Sequence, residues 1–110
     1  MEKFIKGDVV VIPFPFSDLT ETKRRPALVV AELEGEDRIL CQITSLQFKD
    51  RYAVTIDDAS FKEGSLQKIS NVRPNRIFTA DSKIILYKAG HLKPDKINEV
   101  VKKIIDILTC

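Results

Sequence analysis

The sequence contains no tryptophan, two cysteines, four glycines and a single histidine, His91. Each shortage closes off a kind of chemistry. A serine nucleophile activated by an imidazole would rest entirely on His91, which stands between Gly90 and Leu92 in a stretch that reads as a bend. A surface or capping histidine fits that setting better. Cys41 lies in an apolar run and Cys110 is the last residue, a pattern with neither disulfide-framework nor zinc spacing. They read as free thiols in a reducing compartment, which makes the cytoplasm the expected location. Four separated glycines leave no phosphate-cradling loop. Asp57-Asp58 reads as a turn rather than a metal site, so neither metal nor cofactor is expected. Apolar runs fall short of the ~20 residues of a membrane helix, and charges interrupt Met1–Asp8 where a signal peptide would be apolar. No membrane association is expected.

Charge of one sign is also scarce in excess. Eighteen basic residues face sixteen acidic ones, for a net charge of +2. Any binding face for a polyanion must therefore come from clustering. The length of 110 residues, with 44% hydrophobic and 31% charged residues, fits one globular domain spanning 1–110.

Short β-branched runs between turn signals dominate the chain. Strands are expected at Val9–Ile12, Ala27–Val30, Arg38–Thr44, Arg51–Ile56 and Ser65–Arg73, the second and third forming a hairpin. Pro13 and Pro15 open a stretch without period that reaches Arg25 and reads as a long exposed loop. Pro26 falls at the start of the next strand, where a missing N–H is tolerated. One helical turn fits between Ala59 and Gly64, shorter strands fit Arg76–Ala80 and Ile84–Tyr87, and Ala89–Leu92 reads as a bend. Only the tail has helical period: behind Pro94, the residues Ile97, Val100, Val101, Ile104, Ile105 and Leu108 form one apolar stripe. Many short strands and one late helix predict a mainly β (α+β) fold, a small barrel with a C-terminal α-helix.

Two groups of residues carry candidate chemistry. Lys23-Arg24-Arg25 is a run of three cations, readable as a solvated charge run or as a phosphate-binding one. Arginine presents a planar fork that matches phosphate oxygens and keeps its charge at any working pH. Arg25 abuts Pro26, which restricts it to extended backbone at a strand end. Thr44-Ser45 places two hydroxyls at another strand end, suited to a phosphate or to a local turn.

Lys6-Gly7-Asp8-Val9-Val10, Lys23-Arg24-Arg25-Pro26-Ala27-Leu28-Val29-Val30 and Gln42-Ile43-Thr44-Ser45, in this order and spacing, resemble the MazF/PemK toxin family. Ser70-Asn71-Val72-Arg73, followed by Ile77 to Asp81, is similar to the family's later strand and turn. The resemblance implies an SH3-like barrel, a homodimer, a cognate antitoxin as partner and cleavage of single-stranded RNA without a metal. It places the catalytic arginine at Arg25 and the catalytic threonine at Thr44, with Ser45 beside it. Some members use an acidic residue and a second arginine on the later strand. Those positions fall near Ser70 and Lys68, so that machinery is not expected here.

On this reading the RNA supplies its own 2′-hydroxyl as nucleophile, leaving a 2′,3′-cyclic phosphate and a 5′-hydroxyl. Arg25 holds the non-bridging oxygens and is the candidate to protonate the leaving oxygen, although a guanidinium is a poor acid. Lys23, Arg24 and Lys49 are expected to track phosphates, and Phe16 and Phe48 to stack on bases. Phe14 is assigned to core packing. Arg73 and Arg76 fit phosphate contacts or structural ion pairs. The competing readings are a non-catalytic nucleic-acid- or protein-binding barrel, such as a topoisomerase-blocking toxin, and a degenerate toxin. A thiol enzyme on Cys41 is disfavoured by the absence of a neighbouring cation.

Overall fold

A computed structural model describes residues 3–15, 22–45 and 50–110, apart from the side chains of Phe14, Pro15 and Thr22. Seven strands build one antiparallel sheet: β1 Asp8–Pro15, β2 Thr22–Glu32, β3 Asp37–Ser45, β4 Val54–Ile56, β5 Phe61–Gly64, β6 Ser70–Asp81 and β7 Tyr87–Leu92. Helix α1 follows at Pro94–Thr109. The order across the sheet is β4-β6-β3-β2-β1-β7-β5. The expected barrel takes the form of a curled sheet, a half-barrel. Its edge strands β4 and β5 are joined by a single 3-10 turn, Asp58–Ser60, and both contribute to the same core.

The unbroken apolar runs of β1 and β2 arise because the middle of the sheet is covered on both faces. Val9, Leu28, Cys41, Ile43, Val72 and Leu92 pack with Ile97 and Val100 of α1 on one face. Val10, Ile12, Ala27, Val29 and Leu40 pack with Phe4, Phe78, Ala80 and Ile85 on the other. The helix begins as its sequence indicates, with Pro94 in the first turn. Its stripe is narrower than its period suggested, since Ile105 and Leu108 are 52% and 72% exposed. No described helix is long and apolar enough to cross a membrane.

Three corrections to the strand map matter for the site. First, the stretch from Pro13 to Arg25 is not one long loop. β1 runs to Pro15 and β2 begins at Thr22, with Ile12 opposite Arg25 and Pro13 opposite Arg24. The prolines fit because β1 alternates its backbone groups between neighbours. The Val11 carbonyl accepts from Leu86 N, on the β7 side, so Pro13 and Pro15 face that side too, where the β7 ladder has ended. Second, the strand expected from Ser65 starts only at Ser70. Gln67 interrupts it at φ 62, in the left-handed region. Third, β6 continues through Pro74 to Asp81. Its register against β3 jumps from Gln42–Arg73 to Cys41–Ile77, leaving Pro74, Asn75 and Arg76 as a bulge. The stretch read as one helical turn, Ala59–Gly64, holds the end of the 3-10 turn and all of β5, and the expected bend at Ala89–Leu92 lies inside β7.

At the start of the sheet, Gly7 has φ +99, and a Cβ there would meet Ile97 Cδ1 at 2.5 Å and His91 Cε1 at 2.8 Å. His91 Nδ1 lies 2.8 Å from Asp8 Oδ1, while Asp8 Oδ2 accepts from Ile5 N at 2.9 Å. The lone histidine thus ties β7 to the entry of β1.

Candidate active site

Pro26 opens the groove. Strands β2 and β3 pair from Glu32–Arg38 to Ala27–Gln42 and no further. Ala27 and Arg25 direct their backbone groups toward β1, as their pairing with Val10 and Ile12 requires, so Pro26 directs its own toward β3. The next ladder bond would need the N–H that proline lacks. Beyond Ala27 the strands part, and a groove of ≈ 280 Å³ opens between Lys23–Pro26 and Ile43–Ser45. Lys68 and Ser70 complete its lining. Pro26 therefore works in mid-strand, not at the strand start the sequence suggested.

The register also sets who faces whom. Carried two residues past Ala27–Gln42, it sets Arg25 opposite Thr44 and on the same face of the sheet. Both are half-buried, and both line the groove. Lys23 and Arg24 are exposed on the same wall, and Ser45 is exposed at the end of β3. The β3 end is held in place by Asn71, which is fully buried opposite Thr44. Asn71 Nδ2 donates to the Ser45 carbonyl at 3.4 Å, and Thr55 Oγ1 donates to Asn71 Oδ1 at 2.9 Å. A guanidinium and a hydroxyl side chain on adjoining strands, about 4.8 Å apart where strands pair and farther where they part, can grip one tetrahedral anion from two sides.

Of the other expected contact residues, Arg73 and Arg76 are not brought to this groove. Arg73 is 8% exposed, and its Nη2 lies 3.4 Å from Asp50 Oδ2. Asp50 also accepts from Tyr52 N at 2.9 Å and Ala53 N at 3.0 Å. Partial burial pushes the Asp50 carboxyl up, but those two N–H groups and the Arg73 guanidinium outweigh it and hold the carboxyl below its usual range. Arg73 therefore takes the structural ion-pair role. Arg76 is exposed in the β6 bulge. Phe16, Phe48 and Lys49 lie outside the described residues, as does the Phe14 side chain.

Lys68 and Ser70, read from the sequence only as positions where the machinery of other members is lacking, line the groove, and Asn71, quoted there only for the resemblance, braces the end of β3. Their signal is faint: a polar triad at the head of a strand, brought to β3 only by pairing across the sheet. Among the described residues, no three His, Cys, Asp or Glu side chains converge as a metal site would need. Cys41 is buried, and burial pushes its thiol up to about 12, opposite to what a nucleophilic cysteine requires.

A positively lined groove over paired strand ends, on a half-barrel with a C-terminal helix, has relatives. Residues 5–108 match the family described as PemK-like, MazF-like toxin of type II toxin-antitoxin system. The chain belongs to that family. A MazF–MazE crystal structure from Deinococcus radiodurans superposes with a TM-score of 0.76 at 18% identity, covering 98% of each chain. MazF alone from the same organism gives 0.75 at 20% identity over the whole of both chains. An endoribonuclease in complex with its cognate antitoxin, from a mycobacterial species, gives 0.74 at 15% identity, covering 99% of this chain and 96% of that one. A comparison with curated proteins finds no match.

Proposed function

We propose that this toxin is a metal-independent endoribonuclease that cleaves single-stranded RNA at the groove between β2 and β3. The observation that supports the reading is that Arg25 and Thr44 line one groove, on the two strands whose ladder stops at Ala27–Gln42. The 2′-hydroxyl of the RNA attacks the adjacent phosphorus. Arg25 holds the non-bridging oxygens and stabilises the charge that builds on them, the task for which a preorganised cation is worth most. Thr44 fixes the phosphate or the attacking hydroxyl from the neighbouring strand. Lys23 and Arg24 follow the backbone of the strand on one side, with Ser45 at the groove mouth. The products are a 2′,3′-cyclic phosphate and a 5′-hydroxyl.

The same groove suits an acidic antitoxin segment, since a chain of carboxylates complements the wall of Lys23, Arg24 and Arg25. A cognate antitoxin is thus the expected protein partner, and a homodimer the expected active form. The structural relatives with antitoxin bound support this reading.

The test is cleavage of a long single-stranded RNA in EDTA, with the new ends mapped chemically. Fragments carrying 2′,3′-cyclic phosphate and 5′-hydroxyl ends are expected, and Arg25→Ala should abolish them. RNA bound without fragments would make the protein a binding module. Cleavage that EDTA stops would remove metal independence.

A further inference from the structure

The groove continues past its own lining. Lys68, which belongs to it, also lines a second cavity of ≈ 390 Å³, whose other walls are Asp57, Asp58, Ala59, Gln67 and Ile69. The sheet order sets the two side by side. Strand β6 lies between β3 and β4, and its first residue, Ser70, pairs with Ser45 at the end of β3 and with Ile56 at the end of β4. The groove therefore flanks the head of β6 on one side and the second cavity flanks it on the other, at the same end of the sheet. Neighbouring strands stand about 4.8 Å apart, so a nucleotide next to the scissile phosphate reaches across.

The two cavities differ in character. The groove offers Lys23, Arg24 and Arg25. The second cavity sets the carboxylates of Asp57 and Asp58 against one cation, Lys68. A phosphate entering it meets like charge. What an RNA strand can offer a carboxylate is the N–H edge of a base. Single-stranded RNA is read in this way, by bases splayed out of the stack and hydrogen-bonded on their Watson–Crick edges. Ile69, 47% exposed, and Ala59 supply an apolar wall for the face of such a base.

The contacts of the two carboxylates separate their roles. Asp57 is drawn into its own turn: Ser60 Oγ donates to Asp57 Oδ1 at 3.2 Å and accepts from Asp57 N at 3.1 Å, and Ser60 is buried. Asp58 is exposed and held from the far wall. Ser65 Oγ donates to Asp58 Oδ1 and accepts from Gln67 N at 2.8 Å. Gln67 is the one described non-glycine residue with positive φ, at 62°. Such a conformation persists only where its surroundings enforce it. One hydroxyl thus ties the left-handed turn to the Asp58 carboxylate, and both line the cavity. The carboxylate is oriented in advance, and the hydroxyl uses one of its roughly four lone-pair sites.

We propose that this cavity is a base pocket in which Asp58 selects guanine beside the cut, an inference that rests on the nuclease reading above. Among the four bases only guanine carries two donors side by side on its Watson–Crick edge, N1–H and the 2-amino group. They match the two oxygens of a carboxylate as a charge-assisted pair. Adenine and cytosine place a ring acceptor beside their amino group, and uracil flanks its one N–H with carbonyls. Each of those three turns lone pairs toward the carboxylate. A good bidentate base contact discriminates by about ten- to a hundredfold.

The experiment uses the full chain. Wild type first cuts a pool of single-stranded RNAs of randomised sequence, and the new ends are sequenced. Guanine should dominate at one fixed position within a nucleotide or two of the cut. Oligonucleotides of the preferred sequence are then made with guanosine, inosine or adenosine at that position. Inosine lacks the 2-amino group and keeps N1–H. Wild type should lose about tenfold in kcat/KM with inosine and up to about a hundredfold with adenosine. Asp58→Asn presents a donor in place of one acceptor, so it should cut all three within about threefold of one another and match wild type on adenosine. Cleavage without a guanine preference, equal wild-type rates on guanosine and inosine, or a preference kept by Asp58→Asn would each overturn the proposal. A variant slowed equally on all three would show a structural carboxylate and overturn it too. The inosine comparison is made in wild type, so it refutes or supports the pocket even if the variant fails to fold. A wild type that cuts no single-stranded RNA overturns the nuclease reading itself, and the pocket with it.

Discussion

If the missing N–H of Pro26 opens the groove, restoring it should close the groove. Pro26→Ala supplies a donor directed at β3, opposite Ile43, where the ladder now stops. One added backbone hydrogen bond contributes about 0.5–1.5 kcal/mol net. Losing proline returns about 0.4–1 kcal/mol of conformational entropy to the unfolded chain. The two nearly cancel, so urea unfolding should show a stability change within about 1 kcal/mol. Catalysis should not be so indifferent. Extending the ladder draws Arg25 and Thr44 toward ordinary strand spacing and takes away the space between them. A displacement of ~1 Å at a reacting centre costs about a hundredfold in rate, and a loss of that order is expected. Hydrogen exchange read by NMR supplies the structural control, since the new amide at position 26 should be protected. A protected amide together with wild-type cleavage would refute the link between the proline and the groove.

Leu28, fully buried in the sheet core, should cost about 2–5 kcal/mol when cut to alanine, read by denaturant unfolding. Acid should weaken the tie between Asp50 and Arg73. The folded carboxyl sits below its usual range, so its contribution is complete above about pH 4, the ordinary aspartate value, and is lost as pH falls through the folded value. Asp50→Asn should flatten that part of the stability–pH curve. A thiol reagent at pH 8 should label the exposed Cys110 quickly and leave the buried Cys41 unreacted until the chain unfolds, which peptide mass mapping would show.

The elements easiest to read from sequence are those whose environment is uniform along their length. The runs Val9–Ile12 and Ala27–Val30 are apolar throughout because neighbours cover both faces, and α1 keeps its period from Ile97 to Ile104 because one side meets the core. Ile105 and Leu108 break the rule, since the helix outruns the core at its end. Lys23–Arg25 looked like loop because cations and prolines are poor strand formers. The spacing of Pro13 and Pro15, two apart and so facing one side, was the legible sign that only that side lacked a partner. Arg25 and Thr44 could be singled out by chemistry and resemblance, but their juxtaposition depends on a register that local patterns do not encode. Lys68 depends on a left-handed glutamine, a conformation no propensity suggests. Arg73 depends on Asp50, a partner across a turn and two strands.

The central claim is that Arg25 and Thr44 act on one phosphate. Single-turnover cleavage of single-stranded RNA in EDTA by wild type, Arg25→Ala, Thr44→Ala and the double variant tests it in one set of rates. Two groups sharing a phosphate should be strongly coupled, so each single variant should be severely slowed and the double variant little worse than the slower of the two. Losses that simply multiply, or a wild-type rate from either single variant, would contradict it.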